Sequence, residues 1–287
     1  MTDIAVPPRR ITADDTTSFL DDVRTSVTVW QRELIRYTRT RVRILTGLVQ
    51  PLLFLFVLGY GMRNLVGASG GFDFTKFVFP GIVSMSVVST AIFSAISIVW
   101  DREFGFLREM LVAPVRRSAL VVGKTAGGAT VATAQGTLML VLAPLIGVRL
   151  TVLTVVEVIG IEFLMAVALT VFGVFVASRI QKMEGFQVVM QLVLLPMLFL
   201  SGAMFPLSGL PGWLTVLTRL NPLTYAVAPL RSVVFQAQSM PAIATERFPT
   251  TVTLFGHGLS VWTDLAIVAG FTLVFFALAV RGFSRTT

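Results

Sequence analysis

Long apolar runs alternate with short charged ones along this chain, and that alternation predicts helices that cross a bilayer. A membrane-spanning helix needs roughly 20 consecutive apolar residues. The runs predict six such spans, over residues 44–62, 78–100, 119–147, 152–177, 185–205 and 261–280. Two stretches break the rhythm. Residues 21–43 carry apolar positions Val23, Val27, Trp30, Leu34 and Tyr37 at alternating four and three, a single helical stripe flanked by arginines. A basic amphipathic helix with Trp and Tyr on its apolar side is expected to lie in the membrane interface. Residues 206–235 contain two apolar pieces divided by Asn221-Pro222, each too short to cross. Broken helices at membrane depth persist only inside protein or along a cavity, so this stretch predicts a re-entrant helical hairpin at one face.

Between the second and third spans, residues 101–117 crowd Asp101, Arg102, Glu103, Arg108, Glu109, Arg116 and Arg117 into a chain only 13% charged. Phe104, Leu107 and Leu111 would share one face of a short helix that Pro114 should end, since proline supplies no N–H. Such a stiff amphipathic rod is a shape for docking a partner in water. Gly123, Gly127, Gly128, Ala132 and Gly136 give the third span small residues suited to close helix packing.

Composition supports the membrane reading. The hydrophobic fraction is 55%, the mean hydropathy +0.83, and the charged fraction half that of a soluble domain. The net charge of +8 is explained by topology rather than nucleic acid. Of the 23 Lys and Arg, only Arg63, Lys76, Arg149, Arg219, Arg231 and Arg247 fall on the face opposite the termini. The positive-inside bias then places both termini and the 101–117 segment in the cytoplasm. Residues 1–20 and 282–287 read as cytoplasmic tails, and 44–281 as one transmembrane domain.

Catalytic chemistry is not signalled. There is no cysteine, and His257 is the sole histidine, so neither a metal site nor a triad is expected. Gly123-Lys124-Thr125 resembles the end of a phosphate-binding loop, but Ser118 stands where the first glycine is needed. Ionisable or amide groups inside spans are candidate functional positions: Glu157 and Glu162 in the fourth span, Gln187 and Gln191 in the fifth. Glu157 and Glu162 would form a negative outer vestibule that favours cationic amphiphiles, or else reach the interface or be neutralised by Arg149 or Arg231. Gln187 and Gln191 would line a substrate path or bond across helices. A proton-coupled transporter and an intramembrane enzyme are the readings from other classes. The first would need no ATPase; the second needs a clustered acid, His or Ser constellation that the sequence lacks.

The run DREFGFLREMLVAPVRRSALVVGK resembles the cytoplasmic signature of ABC-2 type transporter permeases, with Glu103, Gly105, Leu111, Pro114 and Gly123-Lys124 in the usual order. The run from Ser201 to Arg231, with Pro206, Pro211, Trp213, Asn221, Pro222, Tyr225 and Arg231, is similar to that family's extracellular region. Daunorubicin-resistance-type drug exporter permeases look nearest, with nodulation-factor and lipid-linked polysaccharide exporters close by. The resemblance implies an all-α, type V exporter-like permease in a prokaryotic plasma membrane, paired with a second copy or a sibling. It implies separate ABC ATPase subunits that hold the ATP and Mg, with no cofactor on this chain. Residues 101–117 would be the coupling helix, with Arg102, Glu103, Phe104, Gly105, Arg108, Glu109 and Pro114 as ATPase contacts, and Trp30, Leu34 and Tyr37 would seat the interfacial helix. The cargo would be a hydrophobic drug or secondary metabolite or, alternatively, a glycolipid or lipid-linked polysaccharide.

Overall fold

In a computed structural model, the described residues are 19–61, 74–105, 116–205, 207, 209–238, 253–254 and 257–284. They form α1 (Phe19–Arg39), α2 (Arg41–Gly61), α3 (Phe74–Ser94), α4 (Ile96–Glu103), α5 (Arg117–Val141), α6 (Val152–Ala177), α7 (Met183–Leu200), α8 (Gly212–Leu220), α9 (Thr224–Ala237) and α10 (Val261–Ser284). A 3-10 turn, Ala143–Ile146, follows α5, and two-residue strands β1 (Thr253–Leu254) and β2 (His257–Gly258) pair antiparallel.

Among the described residues, four helices are long and apolar enough to cross a membrane: Phe74–Glu103, which joins α3 and α4, Val152–Ala177, Met183–Leu200 and Val261–Phe283. A fifth is present if α1 and α2, bent by 70°, count as one broken span. The third expected span is a helix of 25 residues, but Lys124, Gln135 and its glycines and threonines dilute its apolarity. That composition suits its position, because α5 is enclosed by protein on several sides. Gly123 and Gly127 face α1, Gly128 faces Ser94 of α3 and Thr170 of α6, and Gly136 faces Val87 and Glu162. A side chain at these positions would meet neighbours at under 3.0 Å. Where lipid removes most of the hydrophobic drive for helix association, such close approach supplies the packing energy.

Two apolar clusters stack along the bundle. One joins α3–α4, α5, α6, α7, α9 and α10 around Ile92, Met165, Leu169, Phe186 and Met190. The other gathers Phe74, Phe77, Met139, Leu230 and Phe235 where α3 begins and α5 ends. The inter-helix contacts define two ends. Glu103, Arg117, Ala177 and Phe283 meet at a charged end, and Phe74, Val141, Val152 and Val261 mark the opposite one.

At the opposite end, α8 and α9 form the helical pair expected over 206–235. Asn221 Nδ2 donates to Met197 O (2.7 Å) and its Oδ1 accepts from Leu223 N (3.1 Å). Thr224 Oγ1 lies 2.7 Å from Thr218 O and 3.2 Å from Leu200 O. The Asn-Pro break is thus tied to α7, and Leu223 enters the large apolar cluster.

One expectation needs correction. The charged segment does not begin a new helix at Asp101: Asp101, Arg102 and Glu103 are the last turn of the preceding span. That rod stops at Phe104 and Gly105, whose φ of +85° only glycine adopts readily. Arg108, Glu109 and Pro114 lie outside the described residues, as does Pro206. On α1 the face that packs on α5 is distinct from the apolar stripe. Val29 and Glu33 are buried, whereas Val23 and Val27 are exposed. At 100° per residue, the packed face of Ser26, Val29, Trp30, Glu33 and Tyr37 lies about 60° round from the stripe expected in the membrane interface.

Candidate functional site

The glycines of α5 decide which side of α1 turns inward. Gly123 accommodates the Ser26 carbonyl and the Val29 side chain, and Gly127 the Glu33 side chain. The two helices run parallel. Ser26 Oγ donates to Ala119 O (3.0 Å), Trp30 Nε1 to Thr130 Oγ1 (3.1 Å), and the Tyr37 hydroxyl to Gln135 Oε1. Trp30 and Tyr37 are therefore engaged by protein, while Leu34 stays half-buried.

This packing brings together a buried ion cluster. Lys124 Nζ donates to Glu33 Oε1 at 2.6 Å, Ser97 Oγ at 2.9 Å and Asp101 Oδ2 at 3.1 Å. Ser97 Oγ donates to Glu33 Oε1 (3.2 Å), and Arg32 Nη2 donates to Asp101 Oδ2 (2.6 Å). Glu33, Asp101 and Lys124 are only 8%, 6% and 8% exposed. Charges so enclosed persist only when paired and hydrogen-bonded, and here each is. The cluster fastens α1, α4 and α5 at one point. Around it, Arg36 lies 5.6 Å over the Trp100 ring, and Asp22 pairs with Arg116 at 3.4 Å.

The next two residues grip the α6–α7 turn. Arg102 donates to the carbonyls of Ala177 (3.3 Å), Ser178 (3.3 Å) and Ile180 (2.9 Å). A guanidinium at a helix C-terminus satisfies orphan carbonyls and complements the dipole. Glu103 Oε2 accepts from Met183 N (3.0 Å), the first residue of α7, where a carboxylate is favoured for the same reason. Phe104 stacks on Trp100 at 5.1 Å, and Gly105 is exposed. Arg117 donates to Phe283 O (2.6 Å), so the chain re-enters the bundle tied to the end of α10.

The remaining candidates lie elsewhere. Pro211 and Trp213 are exposed at the start of α8, Pro222 is half-buried, and Tyr225 donates to Arg219 O (2.7 Å). Arg231 is buried, donates to Gly202 O, and lies 4.5 Å over the Phe77 ring. Glu162 is wholly buried against Gly136, and neither carboxylate oxygen has a hydrogen-bond partner among the described residues. Arg149 and Arg231 therefore do not neutralise it. Glu157, Gln187 and Gln191 are exposed, so these four residues do not form one cluster.

Sequence reasoning missed Glu33, Ser97, Asp101 and Lys124 as a unit. The available signal was a lysine inside an apolar span, which demands a partner. It also missed the intramolecular hydrogen bonds that Arg102 and Glu103 make to the α6–α7 turn.

Comparison with known proteins agrees with this architecture. The ABC-2 type transporter family model matches residues 26–235. Nodulation protein J of Rhizobium leguminosarum bv. trifolii is 32% identical over 212 residues, covering 72% of this chain and 80% of that protein. Inner membrane transport permease YadH of Escherichia coli K12 is 26% identical over 219 residues, covering 76% of this chain and 85% of that one. The matched region begins inside α1 and ends inside α9, so it takes in the ion cluster, the Arg102–Glu103 grip and the α8–α9 pair. A helical bundle with several membrane-length spans, matched over most of its length, belongs to the ABC-2 type transporter family as a transport permease.

Proposed function

We propose that this chain is the membrane subunit of an ATP-driven exporter that moves hydrophobic or amphipathic drugs or secondary metabolites out of a prokaryotic cell. In this reading α2, α3–α4, α5, α6, α7 and α10 make six crossings, with both termini and the charged end in the cytoplasm. A separate ABC ATPase binds beneath the charged end and carries the ATP and Mg. The permease pairs with a second copy or a sibling. Exposed Gln187 and Gln191 support a seam or substrate path along α7, because amides facing lipid would be costly.

The observation that carries the reading is the convergence on residues 101–103. Asp101 joins the cluster that holds α1 and α5, Arg102 grips the end of α6, and Glu103 caps α7. A force applied to the segment that follows Gly105 is then delivered to four helices at once. ATP hydrolysis drives transport only if the ATPase binds two permease arrangements with different affinity. Arg102 and Glu103 act here as positioning residues, and the surface offered to the ATPase lies beyond them.

The test is co-expression with an ATPase subunit encoded beside this gene. Affinity capture should recover the ATPase, and inside-out vesicles should accumulate daunorubicin only with ATP. Failure of capture, or accumulation that persists without the ATPase and stops when the proton gradient collapses, would overturn the proposal.

A further inference from the structure

We propose that the half-open cavity beside the α1–α2 bend binds the uncharged polar group of an amphiphile, whose apolar tail lies along Leu53 and Val57. The inference rests on the export reading for its direction, and on the cavity for its chemistry. The cavity has a volume of about 200 Å3, and its polar lining is Tyr37, Thr46, Gln50, Ser89, Thr90 and Gln135. Sites that enclose a whole drug-sized molecule run to roughly 300–1,000 Å3, so this one fits a ring or headgroup rather than an entire amphiphile.

Six amide or hydroxyl side chains around one hollow are unusual in so apolar a chain, and their hydrogen bonding is incomplete. Gln135 is committed, accepting from the Tyr37 hydroxyl and donating to Ile44 O (3.3 Å). Gln50, Ser89 and Thr90 have no side-chain hydrogen-bond partner among the described residues. Polar groups facing hydrocarbon without partners are costly, so the hollow favours an occupant that supplies them. Amides and hydroxyls both donate and accept, which matches hydroxyl and carbonyl groups. Among the described residues no carboxylate lines the cavity, so an ammonium would find no counter-charge there. Met85 and Phe93 add an apolar back wall.

The mouth sets the orientation. Thr46 and Gln50 are exposed and share a helical face with Leu53 and Val57, which are exposed further toward the opposite end. An amphiphile from the leaflet bordering the charged end has its polar group toward that end and its tail pointing away, and this stripe repeats that arrangement.

The test uses purified permease in lipid nanodiscs without ATPase. Three photoreactive probes are compared: an alkyl glucoside, an uncharged hydroxyanthraquinone and an alkyltrimethylammonium. The glucoside, the hydroxyanthraquinone or both should label residues 46–57 and 85–93, and a tail-positioned label should map to 53–57. Which of the two labels better tells a glycolipid source from an aromatic metabolite. Ser89→Ala with Thr90→Val, and separately Gln50→Leu, should each lower labelling about fivefold per hydrogen bond lost. These side chains hold no other part of the protein, so the variants should fold. Labelling that is strongest with the ammonium probe, spread evenly over exposed helices, or indifferent to the variants would overturn the proposal. Since no ATPase is present, a negative result leaves the export reading standing. Failed ATPase capture alongside positive labelling would strike the export reading alone.

Discussion

Removing the Lys124 ammonium should release α1 from the bundle. In Lys124→Met, Asp101 keeps Arg32 at 2.6 Å, so the carboxylate left without a cation is Glu33, retaining only the Ser97 hydroxyl at 3.2 Å. Orphaning one member of a buried pair costs about 3–5 kcal/mol, and the surviving hydroxyl contact argues for the lower end, about 3 kcal/mol. At about 1.4 kcal/mol per decade, amide exchange across Val29–Tyr37 should speed up roughly 100-fold. Exchange in α10, which does not touch the cluster, serves as the internal reference. Adding Glu33→Gln removes the stranded charge and should return most of the protection, to within about tenfold of the natural chain. Hydrogen exchange in nanodiscs, read by mass spectrometry, makes the measurement. If α1 exchanges alike in the natural chain and Lys124→Met, or if the double variant is no slower than the single, the cluster does not hold α1.

Three further outcomes follow from the packing. Gly127→Leu should displace α1, since even a Cβ there lies 2.7 Å from Glu33 Cβ; a cysteine at Val29 should then react with maleimide, whereas Gly160→Leu, with open space around it, should leave it protected. Gly81→Ala would put a methyl 1.8 Å from the Ala203 carbonyl oxygen, backbone that cannot swing aside. Overpacking of about 1–3 kcal/mol or more should cut the monodisperse yield by size-exclusion chromatography, and Gly270→Ala should not. Arg102→Ala and Glu103→Gln should retain ATPase capture and lose about tenfold in stimulated ATP hydrolysis, since each acts on the α6–α7 turn. Loss of capture itself would show instead that these side chains touch the ATPase.

Helix order was legible because it depends on local pattern. The 152–177 run became α6 without adjustment, and Asn221-Pro222 broke the α8–α9 pair where proline chemistry requires. The ends of helices were less so: the 185–205 run stops at Leu200, and α5 gives way to a 3-10 turn at Ala143. What the pattern did not disclose is which face meets which neighbour. Periodicity grouped Val23, Val27 and Trp30 as an interfacial stripe, and said nothing of the face about 60° away that packs on α5, where Gly123 and Gly127 offer backbone-deep hollows to Val29 and Glu33. Lys124 finds Glu33 91 positions away and Asp101 23 positions away, pairings that no local rule contains. For Arg102 and Glu103, the family resemblance implied contacts with an ATPase, and it did not disclose that each also caps a helix end within the chain.

The paired caps have a mechanical corollary. Alpha-helices present negative carbonyls at one tip and positive amides at the other, and consecutive residues of opposite sign here hold one tip of each kind, on α6 and α7. Those two helices have little surface in common, yet neither can slide along its axis without dragging the same dipeptide. Reversing the order of that dipeptide would set like poles against each other, so the doublet fixes the phase in which the two spans travel as well as their attachment.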